Sequence, residues 1–135
     1  MEYDVIVVGG GPAGASAAYF NAVEGRKVLL FEKAVFPRDK ICGDGVTGKA
    51  LGILEEMGLS EGIADIKKIS CQEVILSSPN QTILNIPIAS PDDPFTSFCI
   101  EREVFDDLLY QKAVATVLEN GGTVINEKVS QPLIE

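Results

Sequence analysis

The sequence runs to 135 residues, room for one domain that removes about two-thirds of its unfolded surface from water. Hydrophobic residues make up 46% of it and charged residues 23%, which excludes the polar bias of a disordered chain. Eleven basic side chains against twenty acidic ones leave a net charge of -9, so nucleic acid is not an expected partner.

There is no histidine, and the three cysteines, Cys42, Cys71 and Cys99, stand 29 and 28 residues apart. That pattern fits neither a structural zinc site nor a disulfide framework, so no metal is expected and a reducing cytoplasm is the simpler setting. The Met-Glu-Tyr-Asp start lacks the basic region of a secretory signal. Val5 to Val23 is uncharged, but four glycines and Pro12 interrupt it and argue against a membrane-spanning helix. Peripheral contact with a membrane stays open.

Along the chain, Tyr3 to Val8 is a short β-branched run, apolar after Asp4, as expected of a strand buried on both faces of a parallel sheet. Glycines follow at once. Alanine-rich residues from Pro12 to Glu24 predict a helix, with Gly25 where a left-handed cap is wanted. Lys27 to Phe31 is a second apolar run ending at Glu32, so the first 32 residues spell one βαβ unit. Ala34 to Gly48 is expected to be an extended loop. Thr47 can cap a helix reaching about Met57, closed by Gly58, and Ser60 opens a shorter one. Cys71 to Ser78 and Thr82 to Ile88 flank Ser-Pro-Asn-Gln as a hairpin, and Ser97 to Ile100 suits a third strand. A helix is expected from Arg102 to Asn120, with Phe105, Leu108, Leu109, Ala113 and Val117 as its core stripe and Gly121 as its end. Thr123 to Val129 follows as a strand.

Gly9, Gly11 and Gly14 form G-x-G-x-x-G between the first strand and its helix. Gly9 permits the sharp turn, Gly11 lets the backbone approach a pyrophosphate, and Gly14 lets helix and strand pack closely. The helix start, with Pro12 at its first position and Ala13 next, then offers the unpaired N–H groups that follow Pro12 and a positive dipole end to the phosphates, with no basic side chain required. Glu32 stands 18 residues after Gly14, where a carboxylate accepts hydrogen bonds from ribose hydroxyls and repels a 2′-phosphate; Lys33 beside it belongs to the same cofactor-binding set. The pattern supports FAD and NAD equally, since both present adenosine diphosphate to such a turn.

The segment Phe36-Pro-Arg-Asp-Lys-Ile-Cys-Gly-Asp-Gly-Val-Thr resembles the P-R-x-K-x-C-G-x-G stretch of the geranylgeranyl reductase family. Arg102-Glu-Val-Phe-Asp-Asp-Leu-Leu-Tyr-Gln-Lys-Ala is similar to the R-x-x-F-D-x-x-L-x-x-x-A helix of the wider aromatic-hydroxylase-like flavoproteins. The resemblance implies FAD, held at its ADP portion by Ala13 and Glu32. It implies that Cys42, Gly43 and Gly45 lie near the flavin, that Arg102 contacts the cofactor, and that the Val129 backbone approaches the adenine. Cys42 is the one catalytic candidate, against the competing expectation of a small packing residue. For Arg102 the alternative is an ion pair with Glu101 or Asp106. Arg38 and Lys40 are expected on a solvated loop, and Cys71 and Cys99 in packed strands.

The expected fold class is therefore α/β: a Rossmann-type FAD-binding βαβ half on a parallel sheet, with a small inserted antiparallel portion. Residues 1–33 supply the βαβ unit, 34–100 a loop, helix and substrate-side strands, and 101–135 a helix and third strand. In the 3-2-1-4-5-6 order only strands 1 to 3 are present, so strand 1 is expected to expose an apolar edge. A later Gly-Asp motif and an isoprenoid-pocket segment are missing, so the chain is expected to be the N-terminal part of a longer flavoprotein. The resemblance implies reduction of isoprenoid C=C bonds in a prenylated lipid by hydride from reduced flavin, with NADPH or ferredoxin as alternative electron donors. An FAD monooxygenase and a non-catalytic nucleotide-binding module are the competing functions; the Lys40-Ile-Cys-Gly stretch favours the reductase.

Overall fold

The computed structural model describes residues 2–42, 45–88 and 97–130. In chain order these form β1 (Val5–Val8), α1 (Pro12–Val23), β2 (Val28–Phe31), β3 (Gly45–Thr47), α2 (Gly48–Glu56) and α3 (Ser60–Asp65). They continue with β4 (Ile69–Ser70), β5 (Glu73–Ser77), β6 (Ile83–Pro87), β7 (Ser97–Cys99), α4 (Arg102–Glu119) and β8 (Thr123–Ile125). The chain divides into two units, Met1–Lys40 with Arg102–Glu135, and Ile41–Glu101.

The first unit is a parallel sheet in the order β1-β2-β8, with Val5 opposite Val28 and Leu29 opposite Thr123. Its strands are short, β-branched and flanked by helices, the composition that suits parallel pairing. On α1 the buried positions are Ala15, Ala18 and Ala22, small side chains that let the helix lie close against α4, where Ala113 and Val117 are fully covered. Val28 and Leu30, both at 0% exposure, fill the core beneath. As expected from strand order, β1 is an open edge: Ile6 and Val8 are each 62% exposed.

The last strand is shorter than expected, ending at Ile125 rather than Val129. Asn126 diverts the chain, its Nδ2 donating to the carbonyls of Glu32 and Ala34 at 2.8 Å each. Residues 126–129 thus leave the sheet and turn across the end of β2.

The second unit holds an antiparallel sheet, β3-β7-β4, and the hairpin β5-β6. The hairpin falls where Ser78 to Gln81 predicts it, with Ser77 opposite Ile83. The expected loop over 34–48 is corrected at its end, because Gly45–Thr47 pairs with Ser97–Cys99. Ile69–Ser70 is likewise a strand that local sequence does not announce. Thr47 does stand at the N-cap of α2, yet its hydroxyl makes no capping bond there. Val46, Leu54, Met57, Ile63 and Phe98 form this unit's core. Among the described residues no helix is long and apolar enough to cross a membrane.

Candidate dinucleotide site

At the end of β1 the Gly9 N–H donates to the Phe31 carbonyl at 2.7 Å, and Gly9 then takes φ +102°, a conformation that glycine alone adopts without strain. The chain thereby reverses into α1, whose N-cap is Gly11 and first residue Pro12. A Cβ on Gly14 would stand 1.8 Å from the Gly9 carbonyl oxygen, so the turn and the helix meet with no space for a side chain. A Cβ on Gly11 would meet only Arg38 Nη2, at 3.5 Å, leaving the approach to that backbone open. No side chain caps α1 and no acid occupies its first turn, which leaves its N–H groups and the positive end of its dipole to an anion.

Glu32, only 6% exposed, accepts the Gly10 N–H at Oε2 (2.5 Å) and the Ala34 N–H at Oε1 (2.7 Å). Each carboxylate oxygen keeps a further lone pair for a hydroxyl donor. Val8, Gly9, Phe31, Glu32, Lys33 and Val129, with Glu127 and Lys128, line one cavity of about 250 Å³. The motif residues Gly9, Glu32, Lys33 and Val129, drawn from three stretches of sequence, therefore share one concavity, and Gly11, Pro12, Ala13 and Gly14 form the adjoining helix start. Arg102 engages Asp106 through its Nε and Nη2 at 2.6 and 2.8 Å, one of the two ion pairs expected as alternatives for it. Cys42 is exposed in the second unit, and Gly45 opens β3 there. Gly43 lies outside the described residues.

Four residues around the turn, Phe36, Arg38, Asp106 and Tyr110, are given no place at the site by the sequence, and Arg38 is packed here rather than solvated. A Cβ on buried Gly10 would come within 2.6 Å of the Tyr110 ring, and that ring stacks on Phe36 at 4.2 Å and 15°. Burial, and secondarily the Glu32 charge, hold the Tyr110 phenol above its ordinary pKa. Arg38 lies over the Phe36 ring at 4.8 Å and pairs with Asp106 at 3.0 Å. The available signal was the i, i+4, i+8 spacing of Arg102, Asp106 and Tyr110, which sets all three on one face of α4.

A diphosphate joined to a ribose fits this donor set: glycine backbone that a Cβ would obstruct, a helix start with unused N–H groups, and a carboxylate at the strand end. The three parallel strands and their glycine turn make a Rossmann-type half of a flavoprotein fold. Residues 4–129 match the family described as FAD dependent oxidoreductase, and the chain belongs to that family, whose cofactor is FAD.

Similarity to individual proteins runs in two directions. A menaquinone reductase of Mycolicibacterium smegmatis is 38% identical over 104 residues, 77% of this chain and 25% of the relative. Digeranylgeranylglycerophospholipid reductase 1 of Methanopyrus kandleri is 36% identical over 115 residues, 84% of this chain and 28% of the relative. These match the resemblance carried by the Phe36–Thr47 segment. Among solved structures, the flavin-dependent brominase Bmp2 superposes with a TM-score of 0.76 at 29% identity, covering 100% of this chain and 32% of that one. The chain thus spans about a quarter to a third of the length of these proteins.

Proposed function

We propose that the protein is an FAD-dependent reductase that saturates isoprenoid C=C bonds of a prenylated lipid, this chain holding the ADP end of the cofactor. The observation that carries this is the cavity in which Gly9, Glu32 and Val129 converge. Beside it the Gly11 N–H and those of Ala13 and Gly14, next to Pro12 at the helix start, meet the diphosphate while Gly9 shapes the turn; within it Glu32 accepts from the ribose, Lys33 flanks it, and the Val129 backbone faces the adenine. Cys42, Gly43 and Gly45 serve the flavin side, and Arg102 acts on the cofactor through the cluster it forms with Asp106. The bound flavin supplies the hydride. Support for the lipid substrate comes from the Pro37–Gly45 segment and from the two reductase relatives. NADPH or ferredoxin reduces the flavin, in a cytoplasmic protein that meets its prenyl substrate by peripheral contact with a membrane.

The likeness to a flavin-dependent brominase favours a second function, oxidation that consumes oxygen. Protein reconstituted with FAD and reduced without oxygen is incubated with a polyprenyl quinone or a geranylgeranyl lipid, and products are read by mass. Gain of two hydrogens per double bond in anaerobic samples is the expected result. Product that forms only with oxygen, carrying oxygen or halogen, refutes the reductase assignment in favour of the second function.

A further inference from the structure

Asp106 is fully buried, and Arg102 alone satisfies it with a two-pronged grip. A second guanidinium nevertheless reaches the same carboxylate, Arg38 Nη2 standing 3.0 Å from Oδ2. Two cations against one anion leave a local positive charge in a chain of net charge -9. For a purely structural ion pair this is a poor arrangement, because the carboxylate is already neutralised and the extra cation is drawn out of water for little return. Arg38 also keeps Nη1 buried with no hydrogen-bond partner among the described residues, a state that costs the full desolvation of that group.

The position of this guanidinium resolves the difficulty. It sits over Phe36, which is stacked on Tyr110, which in turn abuts Gly10. Its Nη2 lies 3.5 Å from where a Cβ of Gly11 would be, beside the middle glycine of the turn. An anion seated at that turn would lie within reach of Nη2, which carries a second N–H besides the one turned to Asp106, and would balance the surplus charge. Resting on the FAD assignment above, we propose that Arg38 contacts the cofactor diphosphate and that Asp106 is the residue that positions it.

ADP, FAD and adenosine are the probes, titrated calorimetrically into the wild-type chain and into Arg38→Gln, Arg38→Lys, Asp106→Asn and the Arg38→Gln/Asp106→Asn double variant. Losing a hydrogen bond to a charged group weakens binding roughly ten- to a hundredfold. R38Q should lose that much affinity for ADP and FAD while adenosine, which has no phosphate, binds as before. R38K, retaining charge without the planar fork, should fall between. D106N should weaken ADP binding when Arg38 is present and add nothing once R38Q has been made, the signature of action through Arg38. Equal losses for ADP and adenosine, or an unchanged R38Q, overturn the contact; additive losses in the double variant overturn the positioning role. The Arg38 side chain is partly exposed, so its two variants decide the contact even if D106N does not fold. A wild-type chain that takes none of the three probes refutes the cofactor assignment itself, a result distinct from a failure of Arg38 alone.

Discussion

Gly11 and Gly14 look interchangeable in the motif, and the structure separates them sharply. In Gly14→Ala the new methyl would stand 1.8 Å from the Gly9 carbonyl oxygen and 2.9 Å from its carbon, and the obstacle is backbone, so one or the other must retreat by more than an ångström. Overpacking of this kind costs about 1–3 kcal/mol, and a backbone obstacle places it at the upper end. Against a total stability of about 5–15 kcal/mol this is a large fraction, equivalent to a fall of roughly 10 °C in Tm. In Gly11→Ala the methyl meets only the tip of Arg38 at 3.5 Å, and φ there is -66°, which alanine accepts. Its stability should change by no more than about 1 kcal/mol, the range of an N-cap substitution. The same methyl would intrude where the diphosphate has to approach, so ADP affinity should fall about tenfold or more, the equivalent of about 1.4 kcal/mol. Urea unfolding followed by circular dichroism gives the first quantity and calorimetric ADP titration the second. If Gly11→Ala unfolds as readily as Gly14→Ala, or binds ADP like the wild type, the division of labour within the turn is wrong.

Gly52 sits inside α2 with open space around its Cβ position, so Gly52→Ala should stabilise the second unit by about 0.5–1 kcal/mol, read as a raised denaturation midpoint. The Tyr110 phenol is held above its ordinary pKa of 10.0, so the fold favours the neutral form; this stabilisation is complete below that pKa and is lost as pH rises through the higher folded value. Thermal melts across the alkaline range should therefore show the wild type losing stability faster than Tyr110→Phe, and parallel curves would contradict it. Cys71, just past β4, and Cys99 on β7 have their sulfurs 3.4 Å apart, whereas Cys42 is exposed. A thiol oxidant such as diamide, reduced as the two thiols lose their hydrogens, should join Cys71 to Cys99; peptide mapping that finds Cys42 in the crosslink instead would refute that geometry.

Local residue order was sufficient for the first unit's framework. The β-branched run before three glycines, the alanine helix stopped at Gly25 and the apolar run ending at Glu32 each announce an element, and the observed bounds lie within two residues of those expected. Backbone propensity and hydrophobic period act between near neighbours, which is why these elements are legible, and the strand order of Rossmann-type folds then gives the exposed β1 edge. Tertiary structure alone decided the rest. Gly45–Thr47 and Ile69–Ser70 are strands only because β7 lies between them, and segments of three and two residues carry no period of their own. Asp106 could have been one more solvated acid on α4, and Arg38 one more loop cation, because an i, i+4 charge pattern reads the same whether it faces water or a packed turn. Their meaning appears when Phe36 stacks on Tyr110 and brings Arg38, Asp106 and Gly11 together from distant parts of the chain, which removes water from the carboxylate and makes the placement of each charge energetically decisive.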